Sequence, residues 1–305
     1  MFLSSTPSRR ISPVIIVLAF FIFSLVSIAQ NRITKVPDLN GDGASDLIWY
    51  NSTTGQSAAW LMNGTSTLTT ATLANDPSWK IAAAADFNGD GITDLVWRDP
   101  STGQLVEWLM NGTVASSSTL LLNDPLWKVV ATADLNGDGK ADLVLNNASV
   151  GQTVAWLMDG STITSWALML TDPNWNVIAT ADFNGDGMSD LLWRNDTTGE
   201  TAAWLMNGTT LLSSSSLAFD ANWKVSATAD FNLDKMADLV WFNSATGETS
   251  LWLMNGTTST SRTSMMTDPN WKVGAIGDFN GDGKSDLVWY GSTTGQTDSE
   301  QMCRT

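Results

Sequence analysis

The stretch Asp86-Phe87-Asn88-Gly89-Asp90-Gly91-Ile92-Thr93-Asp94-Leu95-Val96-Trp97 decides the fold, because the chain repeats it. The string Asp-(Phe/Leu)-Asn-x-Asp begins at Asp38, Asp86, Asp134, Asp182, Asp230 and Asp278, and every interval is 48 residues without insertion or deletion. A fixed period of this length marks a tandem array in which each unit buries its apolar face on its neighbours. Tryptophan keeps the same phase. It stands seven residues before most of these aspartates (Trp79, Trp127, Trp175, Trp223, Trp271). It stands eleven after (Trp49, Trp97, Trp193, Trp241, Trp289, with Leu145 in the third unit) and twenty-two after (Trp60, Trp108, Trp156, Trp204, Trp252). Fifteen of the sixteen Trp are repeat positions, and Trp166 breaks the phase.

Outward from 86–97, one unit reads as four short strands. The first runs up to the acidic loop, and the second follows it and closes at Ser101-Thr102-Gly103. The third closes at Asn111-Gly112 and the fourth at Asn123-Asp124-Pro125. Asn-Gly favours a tight hairpin because both residues tolerate positive φ, and Asp-Pro starts a turn and cannot sit in a central strand. No helical pattern competes. Four strands per 48 residues predict an all-β fold, a β-propeller of six four-stranded blades with the last incomplete. The small residues of strand one, such as Ala82-Ala83-Ala84-Ala85, suit an innermost position, and the Trp are expected between blades. A closed ring of six is the expected arrangement.

The acidic loops have the form Asp-x-Asn-x-Asp-Gly-x-x-Asp. Side-chain oxygens fall at loop positions 1, 3, 5 and 9, with a backbone carbonyl at position 7. Hard oxygens converging at alternate positions of a tight loop are the donor set for Ca²⁺. In the first loop these are Asp38, Asn40, Asp42 and Asp46 with the carbonyl of Ala44. The second offers Asp86, Asn88, Asp90, Asp94 and Ile92, and the third Asp134, Asn136, Asp138, Asp142 and Lys140. The fourth offers Asp182, Asn184, Asp186, Asp190 and Met188. The fifth has Asp230, Asn232, Asp234, Asp238 and Met236, and the sixth Asp278, Asn280, Asp282, Asp286 and Lys284. The loops are not EF-hands, which need a Glu at position 12 and flanking helices; position 12 here is Trp or Leu. The alternative is that Asp, Asn and Gly simply make polar turns. Loop five replaces both glycines with Leu233 and Lys235, so its calcium site is expected to be the weakest.

Composition narrows the function. The chain has 305 residues, 43% of them hydrophobic, which is ample for a core. It has no His, which removes His-based zinc sites and Ser-His-Asp triads. A single Cys, Cys303, excludes an intrachain disulfide. A net charge of −16 argues against nucleic acid or an anionic membrane as partner. Arg9 and Arg10 precede an apolar run from Val14 to Ile28, with small residues at Ser27 and Ala29. This is the layout of a secretory signal peptide over 1–29, too short for a membrane span. The mature chain, 30–305, is then expected outside the cell, free of the membrane, and monomeric. Without its two leader arginines it carries −18, and eighteen of the 31 acids sit in the six loops. Six bound Ca²⁺ would bring the total to −6, so much of the acidity reads as ligand charge.

Asp86–Gly91 followed by Asp94-Leu95-Val96-Trp97, with the matching runs Asp182–Trp193 and Asp278–Trp289, resembles the FG-GAP/VCBS repeat, the calcium-loop blade also found in integrin α-subunit propellers. The resemblance spans Asn31 to about Tyr290. It implies a propeller with calcium between strands one and two of each blade, on loop positions 1, 3, 5 and 9. Loop five departs from the pattern at Leu233 and Lys235. The resemblance also implies extracellular adhesion or binding to a protein or glycan, and it implies no single reaction. A multivalent lectin is the alternative, because repeated blades give repeated pockets. A polysaccharide-active enzyme needs two carboxylates at close range. The four Glu (Glu107, Glu200, Glu248, Glu300) form no evident pair, and no catalytic constellation stands out. Asn63-Gly64-Thr65 and its copies match glycosylation sequons but read first as hairpin turns.

Overall fold

A computed structural model describes residues 37–51 and 54–292, with the backbone of 297 and 298. The leader at 1–29, Glu300 and Cys303 lie outside the described residues. The first sheet is β1 (Leu47–Tyr50), β2 (Gln56–Asn63) and β3 (Ser66–Asn75). The second is β4 (Lys80–Ala85), β5 (Asp94–Arg98), β6 (Gln104–Asn111) and β7 (Val114–Asn123). The third is β8 (Trp127–Ala133), β9 (Asp142–Asn147), β10 (Gln152–Asp159) and β11 (Thr162–Thr171). The fourth is β12 (Trp175–Ala181), β13 (Asp190–Asn195), β14 (Glu200–Asn207) and β15 (Thr210–Phe219). The fifth is β16 (Trp223–Ala229), β17 (Asp238–Asn243), β18 (Glu248–Asn255) and β19 (Thr258–Thr267). The sixth is β20 (Trp271–Gly277), β21 (Asp286–Gly291) and β22 (Thr297–Asp298). Within every sheet the strands are antiparallel and in chain order.

The strand positions follow the sequence expectation, with hairpins a residue or two longer. Strand one of each sheet lies beside strand one of the next, in the order β4, β8, β12, β16, β20. Its small residues permit this approach, and Thr180 Oγ1 donates to the Thr132 carbonyl across one such boundary (3.3 Å). The glycine between strands two and three is also required by close approach. A Cβ on Gly103, whose φ is +79°, would fall 2.0 Å from the nitrogen of Pro125.

The core lies between sheets. Each of the five apolar clusters is shared by two successive sheets. The junction of sheets one and two holds Trp79, Trp97 and Trp108; the next but one holds Trp175, Trp193 and Trp204; sheets four and five share Trp223, Trp241 and Trp252. Within a sheet the strand-two and strand-three rings pair at a tilt, as in Trp193–Trp204 with centroids 4.9 Å apart. Polar staples differ from junction to junction. Arg98 donates to the carbonyls of Pro125 (2.8 Å) and Trp127 (3.2 Å), and Arg194 to that of Trp223 (2.7 Å). Where an aromatic takes the Arg position, a lysine of the next sheet covers it: Lys80 over Tyr50 and Lys272 over Phe242.

The expectation of a closed six-bladed ring is corrected. Among the described residues, four four-stranded sheets are flanked by a three-stranded sheet at each end, and the sixth sheet does not close on the first. Five core clusters account for five junctions, and the face that a sixth would need is open at both ends among the described residues.

One junction carries a misfit. Glu107 is fully buried on β6, where Ala59, Ala155, Ala203 and Leu251 stand in the other units. The Ser161 hydroxyl lies near enough to draw its pKa back in part, yet neither carboxylate oxygen has a partner of good hydrogen-bond geometry. Burial raises the pKa above the ordinary 4.5. The native state therefore holds this proton more tightly than the unfolded chain, and stability falls as pH rises above that value. Glu107→Gln is expected to stabilise the fold by about 1–2 kcal/mol at pH 7.5, with the gain shrinking toward pH 4; thermal unfolding across that pH range measures it.

Candidate metal centre

Every acidic loop is built by the same ladder. In the second, the Asp86 carboxylate accepts from the N–H of Gly89 (2.7 Å) and of Gly91 (2.8 Å). Asn88 Oδ1 accepts from the Asp90 N–H, Asp90 Oδ1 from the Ile92 N–H, and Asn88 Nδ2 donates to Asp90 Oδ2 (2.9 Å). The third and fourth loops repeat these contacts through Asp134, Asn136 and Asp138, and through Asp182, Asn184 and Asp186. The first loop repeats them through Asp38, Asn40 and Asp42, and the sixth shares the backbone part of the ladder, from Asp278, Asn280 and Asp282. In the sixth, Asn280 Nδ2 turns to Asp286 (3.4 Å). The position-7 residue reaches back over the preceding loop. Ile92 lies against Gly41, Lys140 against Gly89, Met188 against Gly137 and Met236 against Gly185. Lys140 alone of these is charged, and its ammonium pairs with Asp159, which stands where other hairpins have Asn.

Position 9 does something the spacing did not reveal. Asp46, Asp94, Asp142, Asp190, Asp238 and Asp286 are all buried. One oxygen of Asp94 accepts the position-2 N–H of Phe87 (3.0 Å), and the other the N–H of Met110 on strand three (2.8 Å). Asp46, Asp142, Asp190 and Asp238 do the same with Met62, Met158, Met206 and Met254. This carboxylate ties the loop to the third strand of its sheet. The pKa of Asp94 is pushed up to about 7, first by burial and then by the charges of Asp90 and Asp86, against the lowering effect of its two N–H donors. Asp142, Asp190 and Asp238 are raised to about 6 for the same reasons in their own loops.

The loops also join sheet to sheet. The position-1 carbonyl accepts the position-8 N–H of the next loop, as in Thr93 to Asp38 (2.6 Å) and Ala141 to Asp86 (2.7 Å). The position-2 carbonyl accepts the hairpin glycine N–H of the next sheet, as in Gly112 to Leu39 and Gly160 to Phe87, both 2.8 Å.

Loop five keeps this geometry without its glycines. Leu233 and Lys235 have φ of +66° and +69°, and their N–H groups still donate to Asp230 at 2.7 and 2.9 Å. Asn232 and Asp234 make the usual contacts. A side chain in this region costs about 1 kcal/mol or more per residue, so the ladder imposes the conformation on residues that resist it.

In donor chemistry the loops fit a hard cation: carboxylate and amide oxygens, with the position-1 carboxylates keeping spare acceptor capacity on Oδ2. The residues expected to hold it are those at positions 1, 3, 5 and 9, with the position-7 carbonyls of Ala44, Ile92, Lys140, Met188, Met236 and Lys284; of these, the position-9 carboxylates of the first five loops already accept two N–H groups each. Among the described residues, no three acidic groups gather at the spacing that would surround a metal ion. The ladder satisfies the loop with its own N–H groups, so the polar-turn alternative has a definite physical content: each aspartate has a backbone task.

The tandem sheets and their acidic loops define an array of propeller blades. Residues 38–97, 86–145, 134–193, 182–241 and 230–289 match the FG-GAP-like repeat, each span running from one acidic loop through strand two of the next unit. The protein belongs to the FG-GAP-like repeat family. No curated protein matches it. Among solved structures it is similar to a chain of the nidogen/laminin complex (12% identity, TM-score 0.47, 84% of this chain and 95% of that one). It is also similar to the V. cholerae biofilm matrix protein Bap1 (20%, TM-score 0.39, 77% and 38%). A third is prolyl oligopeptidase B from Galerina marginata (14%, TM-score 0.47, 82% and 37%). The chain spans under two fifths of the last two.

Two substitutions separate the tasks within a loop. Asp190→Ala strands two buried N–H groups and is expected to cost about 2–4 kcal/mol whether or not calcium is present; Asp186→Ala, on the exposed rim, should cost under about 1 kcal/mol in EDTA. In loop five, Leu233→Gly and Lys235→Gly should each stabilise by about 1 kcal/mol. Chemical denaturation in EDTA reads all four.

Proposed function

We propose that this protein is an exported binding or adhesion module whose blades are braced by calcium in the acidic loops. The observation that carries the reading is the sixfold recurrence of one oxygen-donor set, on loops that also hold each blade to the next through backbone bonds. Bound calcium supplies charge neutralisation and nothing redox or Lewis-acidic is required of it. The chain's own residues do the rest. Positions 1, 3 and 5 present oxygens, the position-4 and position-6 residues give the turn, and position 9 anchors the loop in the sheet.

Extracellular calcium modules bind with Kd of about 10⁻⁴–10⁻³ M. At about 1 mM calcium and a Kd of about 0.1 mM, each site adds roughly 1.4 kcal/mol. Five or six such sites are comparable to the net stability of a whole domain. The cation therefore suits a structural brace, and recognition is left to the surfaces of the blades.

The lectin alternative loses its main support. Fifteen Trp in repeat positions would be attractive sugar platforms if presented, but the strand-two rings from Trp97 onward are buried, and their strand-one and strand-three companions pack against the same junctions. Trp166, exposed on β11 opposite Trp156, is the exception.

Calorimetric titration of the calcium-stripped protein should show several sites, with loop five weaker than the rest, and about 1 mM Ca²⁺ should raise the unfolding temperature reversibly. Six equivalent sites would contradict the loop-five reading, and no calcium-dependent shift would remove the brace. A glycan array and an extracellular-protein array, each run with calcium and with EDTA, test the binding role. Calcium-dependent protein capture supports it, and calcium-dependent glycan capture would put the lectin first.

A further inference from the structure

The five junctions inside the chain are copies of one interface. In each, the position-2 residue of one loop packs with the strand-two residue of the next sheet; Leu39 with Trp97 and Phe183 with Trp241 are two cases. Each junction also carries the bond from a position-8 N–H to the position-1 carbonyl, and the first four add the bond from a hairpin glycine N–H to the position-2 carbonyl. At the two ends of the array the same halves stand open. Trp49 is 37% exposed, whereas Trp97, Trp193, Trp241 and Trp289 are at most 2% exposed. Phe279 is 42% exposed, whereas the other position-2 residues are at most 4% exposed. The N–H groups of Ser45 and Gly64 on the first sheet have no inter-sheet partner among the described residues. Nor do the carbonyls of Asp278 and Phe279 on the sixth.

We infer that the Phe279 face of one molecule docks on the Trp49 face of a second copy, repeating the internal junction between chains. The occupant is another copy because the elements that meet in the internal junctions stand at opposite ends of the same chain: Phe279 with the Asp278 and Phe279 carbonyls at one end, and Trp49 with the Ser45 and Gly64 N–H groups at the other. Among the described residues, the two halves do not meet within the molecule. Aromatic rings supply apolar area and two backbone bonds set the register, as in the first four internal junctions. Such a contact is heterologous, head to tail, and extends to open oligomers unless the rotation closes. This departs from the monomer that a closed ring implies.

Sedimentation velocity of the full chain in calcium, from about 1 to 100 μM, should show mass rising with concentration. Trp49→Asp and Phe279→Asp should each weaken self-association at least about tenfold. Mixed in equal amounts, the two variants should form a dimer and nothing larger, because each retains the one intact face that the other lacks. Both sites are already well exposed, and Trp49→Ser and Phe279→Ser, checked by circular dichroism, serve if the aspartates disturb folding. A mass that stays monomeric at all concentrations overturns the inference; if either substitution then lowers the unfolding temperature, closure within one chain is identified. Association that survives both substitutions, or a mixture that stays monomeric, also overturns it.

Discussion

The buried aspartate at loop position 9 holds each unit together. One carboxylate accepts two backbone N–H groups that no strand pairing reaches, one in the acidic loop and one on strand three. A neutral side chain would leave both donors dry and unpaired, and a shorter or longer one would miss one of them. The burial that makes the contact strong also raises the carboxylate's pKa, so the unit is held by a charge that its surroundings resist.

From that anchor the rest of the architecture follows outward. The loop it pins presents two carbonyls to the next unit, and these fix the spacing at which the Trp rings interleave. The apolar core is then a series of separate interfaces, and stability is approximately a sum over units and junctions. Within this frame the junctions vary. An Arg reaching to carbonyls and a Lys over an aromatic ring serve the same repeat position in different units, and a buried Glu stands at another where the other units have Ala or Leu. A repeat can carry such differences because each junction is answerable only to its two sheets.

The acidic loops combine two economies. Their aspartates satisfy the backbone of a tight turn, and they also concentrate oxygen donors at the rim of every blade. The ladder is strong enough to hold Leu233 and Lys235 in a left-handed conformation. The calcium proposed for such a loop would add to a structure the ladder already holds, so its contribution would fall on stability rather than on chemistry.

The repeat itself was legible from residues alone. The 48-residue phase, the four strands, the innermost small residues and the placing of Trp between sheets all follow from periodicity and turn chemistry, which are local. The recurrence of oxygen-bearing residues at loop positions 1, 3, 5 and 9 was equally legible; the calcium they are expected to bind remains a proposal. The second role of position 9 was not, since its partner at Met110 lies sixteen residues away and a backbone N–H leaves no mark in a sequence. Nor could the sequence reveal that the ring stays open, or that Glu107 is buried without a partner. Closure depends on the angle accumulated over five junctions, and burial depends on what the neighbouring sheet brings to that spot. Both are sums over distant contacts, and only the tertiary structure evaluates them.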